Sequence, residues 1–271
     1  MNTTSRSGAY PIENVDASEL ERLRLQHEAW ASDTTVLLDE IGVGAGWKCL
    51  DLGCGPFGLT RVLADAVGPT GDVIGLEYND AFVAEARSGA PAHVKIVQGD
   101  AYDTSLPGGS FDLVHMRFLA SVAGDADRLL AEAIRLVRPG GVLACQEATT
   151  ETIRSVPSDP AFDRLTQALV SLFPDLLVKT PTAHHIYTIL HDAGFENVGH
   201  RTATVSVRSG EPWHDYIPSC ILSARSTLVE RGIFTDAELD EAVADCRAFL
   251  SQPGSLFVSP QLVQVWGRKP G

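Results

Sequence analysis

Between Trp47 and Glu147 the sequence alternates short apolar runs with segments of helical periodicity. The predicted strands are Trp47–Leu52, Asp72–Glu77, His93–Gln98, Phe111–Met116 and Val142–Glu147. The predicted helices between them are Leu59–Val67, Ala81–Ser88, which Asn79 can cap, and Asp125–Val137. Strands that alternate with helices form a mostly parallel sheet with helices on both faces. The pattern therefore predicts a doubly wound α/β fold.

The flanking segments predict additions to this sheet rather than a second domain. Residues 1–16 have no periodicity, whereas Ala17–Ile41 predicts an amphipathic helix with a break near Ser32-Asp33. The segments expected after Thr150 are helices Ala161–Leu177 and Thr182–Ala193, strand Val198–Val207, a helical insertion at 211–250 and a last strand Leu256–Gly267. We expect one domain over 1–271, composed of a helical lid (1–45), a ligand-binding core (46–150) and cap elements (151–193 and 211–250).

Composition narrows the class of partner and the compartment. The net charge is −14 without a Lys/Arg-rich run, so a nucleic-acid partner is not expected. The five cysteines are odd in number and form no C-x-x-C pair, which argues against a disulfide framework and against a metal site. The sequence shows neither an apolar leader nor a membrane-length apolar run, so we expect no membrane partner and a cytoplasmic protein.

Three glycines follow the first predicted strand, at Gly53, Gly55 and Gly58, in the spacing G-x-G-x-x-G. In an open α/β sheet, ligands bind beyond the carboxyl ends of the strands, and glycines there let the backbone approach a ligand closely. Glu77 ends the next strand about 20 residues after Gly55, where a carboxylate can accept hydrogen bonds from ribose hydroxyls. These features alone fit either a nicotinamide dinucleotide or an adenosyl ligand.

Other features favour an adenosyl ligand with a cationic end. Asp51, just before the glycines, would repel a pyrophosphate but attract a sulfonium and an ammonium group. Asp100, after the third strand, can accept from an adenine amino group. The chain also ends with a strand that could be inserted antiparallel into the sheet.

These motifs, as a set, resemble those of the class I S-adenosylmethionine-dependent methyltransferases, and most of all the small-molecule branch related to the ubiquinone and menaquinone methyltransferases. The matching segments are Leu50-Asp51-Leu52-Gly53-Cys54-Gly55, Val73-Ile74-Gly75-Leu76-Glu77, Gly99-Asp100-Ala101, Phe111-Asp112-Leu113-Val114 and Arg138-Pro139-Gly140-Gly141. The resemblance implies a seven-stranded Rossmann-like methyltransferase fold and S-adenosyl-L-methionine as cofactor. The family often has glycine where this chain has Phe57, and Pro56-Phe57-Gly58 is expected to make the turn instead.

The resemblance also implies a set of cofactor-binding residues. Asp51, Gly53 and Gly55 would line the methionine part, and Glu77 the ribose. The remaining candidates are Tyr78, Asp100 and Ala101 around the adenine, Met116, Arg117 and Phe118 beside the sulfonium and the substrate, and Gln26 on a lid helix that would close over the cofactor. Arg117 could pair with a substrate anion or with the cofactor carboxylate, or it could form a structural ion pair.

Candidate catalytic and substrate residues each have a structural alternative. The candidate general bases are His115, Glu147, His184 and His185, which could equally be a core histidine, a supporting hydrogen-bond acceptor and a solvated helix face. The candidate substrate contacts are Tyr10, Trp30, Tyr187, Trp213, His214 and Tyr216, which could instead be packing residues. A base is needed only if the nucleophile must lose a proton.

The function predicted from these residues is methyl transfer to a small molecule, such as a secondary metabolite or a quinone-like aromatic. One alternative is a protein of the same fold that binds S-adenosylmethionine without transferring methyl, for example a cyclase. An NAD-dependent oxidoreductase is a weaker alternative, because Asp51 and Asp100 argue against it and no Tyr-x-x-x-Lys pair is recognisable. A homodimer would form where the N-terminal helix exposes an apolar face.

Overall fold

The computed structural model describes residues 17–172 and 183–271, which form a seven-stranded sheet flanked by helices. The strands are β1 (Lys48–Leu52), β2 (Asp72–Glu77), β3 (Val94–Gln98), β4 (Phe111–Arg117), β5 (Val137–Thr149), β6 (Arg154–Val156), β7 (Glu196–Ala203), β8 (Ser206–Arg208), β9 (Leu256–Val258) and β10 (Gln261–Arg268). The helices are α1 (Ala17–Ala29), α2 (Ala31–Ile41), α3 (Thr60–Val67), α4 (Asp80–Gly89), α5 (Ala126–Leu136), α6 (Pro160–Ser171), α7 (His185–Asp192), α8 (Tyr216–Ser223), α9 (Arg225–Glu230) and α10 (Asp236–Leu250).

The strand order in the large sheet is β3-β2-β1-β4-β5-β10-β7. The first five strands are parallel, and β10 is antiparallel to both of its neighbours, β5 and β7. The doubly wound, mostly parallel sheet and the inserted antiparallel strand are therefore confirmed. No helix in the described ranges has both the length and the apolar character of a membrane-spanning segment.

The C-terminal strands differ from the sequence prediction, because each of two predicted strands divides between two sheets. Leu256–Gly267 forms β9 and β10, and Val198–Val207 forms β7 and most of β8. The break after β9 falls at Ser259-Pro260, where proline has no N–H to donate to a ladder. Ser259 instead exchanges backbone and side-chain hydrogen bonds with Val205. The result is a small second sheet, β6-β9-β8, which the sequence pattern did not predict.

Three hydrophobic clusters make up the core. One cluster lies between the large sheet and helices α5 and α7, and another lies on the opposite face beneath α2, α3 and α4. The third joins the small sheet to α6 and to α8–α10, and includes Trp30, which follows α1. The cap elements thus have a core of their own, and the N-terminal helix docks against it.

The N-terminal helical segment is broken at Trp30, earlier than the predicted break at Ser32-Asp33. Trp30 is 2% exposed and packs edge-on against Trp213, with ring centroids 5.6 Å apart. Its backbone leaves the helical region, with φ −104° and ψ 7°, and α2 starts at the next residue. The packing of one large ring against the cap therefore sets the angle between α1 and α2.

We predict that Gly199→Ala destabilises the fold, because a Cβ at this position in β7 would overlap the indole ring of Trp266 on β10. Overpacking of this kind costs about 1–3 kcal/mol in free energy of unfolding. Urea denaturation followed by circular dichroism measures the change. The matched control is Gly89→Ala in α4, where a Cβ meets no atom within 4 Å. Equal stability of the two variants would contradict the prediction.

Candidate functional site

The turn after β1 requires glycine at three positions for two different reasons. Gly53 and Gly55 have φ of +69° and +58°, a region that favours glycine. Gly58 has no such backbone requirement, but a Cβ there would overlap the carbonyl oxygen of Cys54 and lie 2.5 Å from Asp51 Oδ2. Phe57 stands where the family often has a glycine. In this chain the glycine that the turn requires is the next residue, Gly58, because there is no space for a side chain there.

The carboxylates of Asp51 and Glu77 both accept hydrogen bonds from backbone N–H groups of this turn. Asp51 Oδ2 accepts a hydrogen bond from the backbone N–H of Leu59 at 2.7 Å. Glu77 Oε2 accepts from the N–H of Gly55 at 2.9 Å, and its Oε1 accepts from Tyr78 and Asn79. The carboxyl ends of β1 and β2 are therefore joined directly through the glycine turn.

The end of β3 continues the same edge. The N–H of Gly99 donates to the carbonyl of Glu77 at 3.0 Å, and Asp100 Oδ1 accepts from the N–H of Tyr102 at 2.8 Å. Tyr78 is 62% exposed between these strand ends. The structure thus brings together seven of the predicted cofactor residues, namely Asp51, Gly53, Gly55, Glu77, Tyr78, Asp100 and Ala101, along the ends of three adjacent strands.

The residues at the end of β4 point in different directions. The side chain of Met116 is fully buried in the core cluster next to α5. Arg117 extends toward α1, where its Nη2 lies 3.0 Å from His27 Nδ1 and 3.4 Å from the carbonyl oxygen of Phe57. Phe118 has φ +54°, a conformation that costs a non-glycine residue about 1–3 kcal/mol. Strain of this size is typical of a residue whose position matters for a site.

Arg117 is a partly buried cation that forms no ion pair among the described residues. Its Nη1 is buried and has no hydrogen-bond partner in residues 17–172 and 183–271. Burial lowers the pKa of Arg117 to about 10, and Asp51 partly opposes this shift. Burial and the nearby Arg117 together lower the pKa of His27 to about 4, so His27 is neutral and can accept from Arg117. This pair can receive an anion.

Glu147 holds the loop after β4 in place. Its Oε1 accepts from the N–H groups of Leu119 and Ala120, and its Oε2 accepts from Ser121, at 2.8–3.1 Å. Burial raises the pKa of Glu147, while these donors oppose the shift. Leu119 packs so closely on Gly53 that a Cβ there would meet its side chain at 2.8 Å. Glu147 thus braces the glycine turn, and both of its oxygens are engaged.

The predicted histidines are placed in two separate regions. His115 is fully buried below the glycine turn, with Nδ1 2.8 Å from Asp51 Oδ1 and Nε2 2.9 Å from Gln146 Nε2. His184, His185 and Tyr187 lie at the start of α7, beside the edge strand β7, where His184 stacks on His200. Because β7 is three strand positions from β4, the structure does not bring this second group to the glycine turn.

The lid helix and the cap bring four other predicted residues together. Gln26 Oε1 accepts from the Tyr216 hydroxyl at 3.1 Å, and the rings of Tyr216 and Trp213 lie 4.5 Å apart. Trp30 contacts Trp213 edge-on, and Phe118 packs against the same cluster. His214 is bonded locally, with Nδ1 2.7 Å from the carbonyl oxygen of Glu211. Tyr10 lies outside the described residues.

Several residues of this site were missed by the sequence analysis. His27 and Leu119 have no motif around them, and only the fold brings them to Arg117 and Gly53. Gln146 and Gln264 did carry a signal, because each is a polar residue directly after an apolar run, Val142–Cys145 and Leu262-Val263 respectively. A fully buried glutamine needs specific hydrogen-bond partners, so this break in the pattern indicated a network.

Comparisons with known proteins found similarity to methyltransferases. The family model described as a methyltransferase domain matches residues 50–145. Demethylmenaquinone methyltransferase from Staphylococcus aureus is 28% identical over 202 residues, which cover 67% of this chain and 80% of the relative.

Solved structures share the fold at low sequence identity. The YcgJ protein of Bacillus subtilis has a TM-score of 0.57 at 17% identity, covering 90% of this chain and 99% of that chain. A phosphoethanolamine N-methyltransferase of Haemonchus contortus, solved with phosphomonomethylethanolamine and S-adenosylhomocysteine, has a TM-score of 0.54 at 18% identity, covering 89% of this chain and 53% of that chain.

We predict that acidification loosens the contact between α1 and β4 through His27. The pKa of His27 is lowered from 6.5 to about 4, so this group favours the folded state above pH 6.5 and loses that contribution as the pH falls toward 4. After allowance for partial exposure, the loss is about 1–2 kcal/mol. In urea titrations from pH 7 to pH 4, the unfolding free energy of the wild type should fall relative to that of His27→Gln as the pH falls. Parallel pH profiles would contradict the prediction.

Proposed function

From the premise that this chain is a class I S-adenosylmethionine-dependent methyltransferase related to the quinone methyltransferases, we propose that it methylates a small apolar aromatic molecule. The fold and the reaction type expected from the motifs are confirmed. S-adenosyl-L-methionine is the cofactor that the motifs imply. The observation that carries the proposal is the aromatic cluster of Trp30, Trp213, Tyr216 and Phe118, which lies between the end of β4 and the cap.

The residues around the glycine turn fit the cofactor. When bound, S-adenosylmethionine supplies a methyl group activated by a sulfonium leaving group. The positive φ of Gly53 and Gly55 lets the backbone approach a ligand, Gly58 fits a turn that has no room for a side chain, and Asp51 provides negative charge beside a cationic end. We assign Glu77 to the ribose hydroxyls and Asp100 to the adenine amine, because each has a carboxylate at the edge where these groups would lie.

The chemistry of the cap supports a quinone-like or other oxygenated aromatic acceptor. The indole N–H of Trp213 is buried and has no hydrogen-bond acceptor within the described parts of the chain, so a carbonyl or phenol oxygen of the acceptor would satisfy it. The relative from Staphylococcus aureus has demethylmenaquinone in its name, which is an acceptor of this class. A secondary metabolite with an aromatic ring would have the same features.

Positioning, rather than a strong base, is the contribution that we assign to the protein. His115 and Glu147 are engaged in supporting hydrogen bonds, and His184 and His185 lie at the β7 edge. Holding the acceptor in line with the methyl group can supply an effective molarity of about 10⁵–10⁸ M. Docking of α1 against the cap through Gln26 and Tyr216 would exclude water from the site.

The wider setting of the enzyme is also part of the proposal. We assign residues 1–271 to a single domain, with the cap segments serving the acceptor. All five cysteines are free and buried, which suits the reducing cytoplasm. The described part of α1 exposes no large apolar side chain, and its outer face carries the ion pairs of Arg24 with Glu21 and Glu28. In the rest of the predicted N-terminal helix, Val36 of α2 is an exposed large apolar residue, at 39% exposure. A homodimer through this segment therefore stays a prediction.

We predict that the protein binds S-adenosylhomocysteine and that Gly58→Ala weakens this binding by about tenfold or more, because strain of about 1–3 kcal/mol falls directly on the turn. Isothermal titration calorimetry measures the affinity. Gly44→Ala is the matched control, since a Cβ there has no neighbour closer than 3.7 Å. Transfer from cofactor with a trideuterated methyl group, followed by mass spectrometry over a panel of hydroxylated naphthalenes and quinols, then tests turnover. Binding without any labelled product would favour a non-methylating binder.

We predict that Arg117 binds an anion, either the cofactor carboxylate or an ionised acceptor. Because one buried charge-assisted hydrogen bond contributes about 1.5–3 kcal/mol, Arg117→Met should weaken its ligand by more than tenfold. Loss of affinity for S-adenosylhomocysteine, but not for 5′-methylthioadenosine, which lacks the carboxylate, assigns the anion to the cofactor. A raised KM for the acceptor with unchanged cofactor affinity assigns it to the acceptor. Arg154→Met, an exposed residue of β6, is the control, and an unchanged Arg117 variant would contradict both assignments.

A further inference from the structure

A row of polar side chains crosses the sheet from the glycine turn to the far edge. Its members are Asp51 on β1, His115 on β4, Gln146 on β5, Gln264 on β10 and Arg201 on β7, and we call them the polar row. The first four are at most 2% exposed. They lie on five successive strands, so the row spans about 19 Å at the usual strand spacing.

The direction of every hydrogen bond in the polar row follows from its last member. Arg201 can only donate, so Gln264 Oε1, 2.7 Å from Arg201 Nη1, is an acceptor. Gln264 Nε2 must then donate, and it does so to Gln146 Oε1 at 2.8 Å. Gln146 Nε2 in turn donates to His115 Nε2 at 2.9 Å. The acceptor oxygen of each glutamine thus faces the arginine side, and the donor nitrogen faces Asp51.

This order leaves one protonation state for His115. Its Nε2 must accept from Gln146 and carries no hydrogen, so the ring proton is on Nδ1 and is donated to Asp51 Oδ1 at 2.8 Å. The opposite tautomer would place a bare nitrogen against the carboxylate and two N–H groups against each other. Asp51 therefore receives one hydrogen bond from His115 and one from Leu59, which together orient both of its oxygens.

The polar row is also attached to the start of α2. Gln264 Nε2 donates to the backbone carbonyl of Asp33, and the Thr34 hydroxyl donates to Gln146 Oε1. Arg201 Nη2 forms an ion pair with Asp33 at 2.7 Å. The same residues therefore contact the helix that follows the lid helix α1.

Stability alone does not account for such a row. Apolar side chains of similar volume often replace buried polar groups in a core without loss of stability, and the preceding residues Cys145 and Val263 are apolar. The row instead has every member hydrogen-bonded and ends at Asp51, one of the two carboxylates that bond the glycine turn. An arrangement of this kind specifies geometry and proton position at its end.

We propose that Arg201, Gln264 and Gln146 are positioning residues for cofactor binding: they hold His115 in its Nδ1–H tautomer and so keep the carboxylate of Asp51 oriented toward the cationic end of the cofactor. The inference rests on the role assigned above to Asp51. Arg201 lies on the edge strand β7, four strand positions from β1. The proposal therefore gives it a role in cofactor binding without direct contact with the cofactor.

The experiment combines a spectroscopic signature with an affinity. In wild-type protein labelled with ¹⁵N-histidine, the His115 ring should show a protonated Nδ1 and an unprotonated Nε2, the signal being assigned by its loss in His115→Gln. Arg201→Met frees Gln264 to rotate, so part of the His115 population should move to the Nε2–H tautomer. Affinity for S-adenosylhomocysteine should fall about three- to tenfold, the effect of one hydrogen bond. Arg201→Lys, which keeps a donor, should restore both readouts.

Two controls separate the polar row from charge and from the ion pair. Arg208→Met removes the same charge from the exposed strand β8, and Asp33→Asn removes the ion pair while leaving the Arg201–Gln264 hydrogen bond. Both should retain the Nδ1–H tautomer. Should Arg201→Met fail to fold, Gln264→Met breaks the row at the next bond and is measured in the same way.

Each outcome bears on one claim. A protonated Nε2 in the wild type, or an unchanged tautomer and affinity in Arg201→Met, would overturn the inference. A wild-type protein with the expected tautomer but without affinity for S-adenosylhomocysteine would overturn the assignment of Asp51 to the cofactor instead, since the tautomer is measured without ligand.

Discussion

The buried carboxylate of Asp51 is the constraint from which the rest of the site follows. A carboxylate that is 2% exposed is costly to bury unless its oxygens are hydrogen-bonded. The N–H of Leu59 reaches one oxygen only if the chain turns back tightly after β1, and this turn leaves no room for a side chain at Gly58. The other oxygen requires a donor from the next strand, which His115 supplies. Glycine positions, helix α3 and the polar row are thus consequences of one buried charge.

The parts that could be predicted from sequence are those determined by local patterns. Apolar runs and turn residues placed β1–β5, and the side chain of Asn79 caps α4 as predicted. The glycine turn was predictable because backbone conformation demands particular residues there. The division of Leu256–Gly267 between two sheets was not, because it depends on the pairing of Ser259 with Val205. Arg117 was predicted as a candidate, but its partner His27 lies 90 positions away and has no motif.

Helix α1 shows how tertiary context overrides an amphipathic pattern. In an amphipathic helix the apolar residues normally face the protein, yet the buried residues of this helix are Glu19 and Arg22. They form an ion pair with each other, and Arg22 also donates to Gln26, which bonds Tyr216 of the cap. A buried ion pair contributes little net stability, but it does fix orientation. The buried polar residues of α1 therefore fix the orientation of this helix against the cap more than they add to stability.

The residues assigned to the cofactor and those assigned to the acceptor come from different parts of the chain. This separation explains why the acceptor is harder to assign than the cofactor. The family match covers residues 50–145, which include the ends of β1 to β4, where the residues assigned to the cofactor lie. Trp213, Tyr216 and the rest of the cap come after that segment and form a separate core with Trp30. Because the residues assigned to the cofactor and those assigned to the acceptor are on different elements, the cap can change its rings and polar groups without disturbing the glycine turn. Likeness to a relative at 28% identity therefore extends to the acceptor only as far as the cap residues are shared. The buried N–H of Trp213 and the buried Nη1 of Arg117 are better guides to the acceptor, because these two atoms have no hydrogen-bond partner within the described residues of this chain.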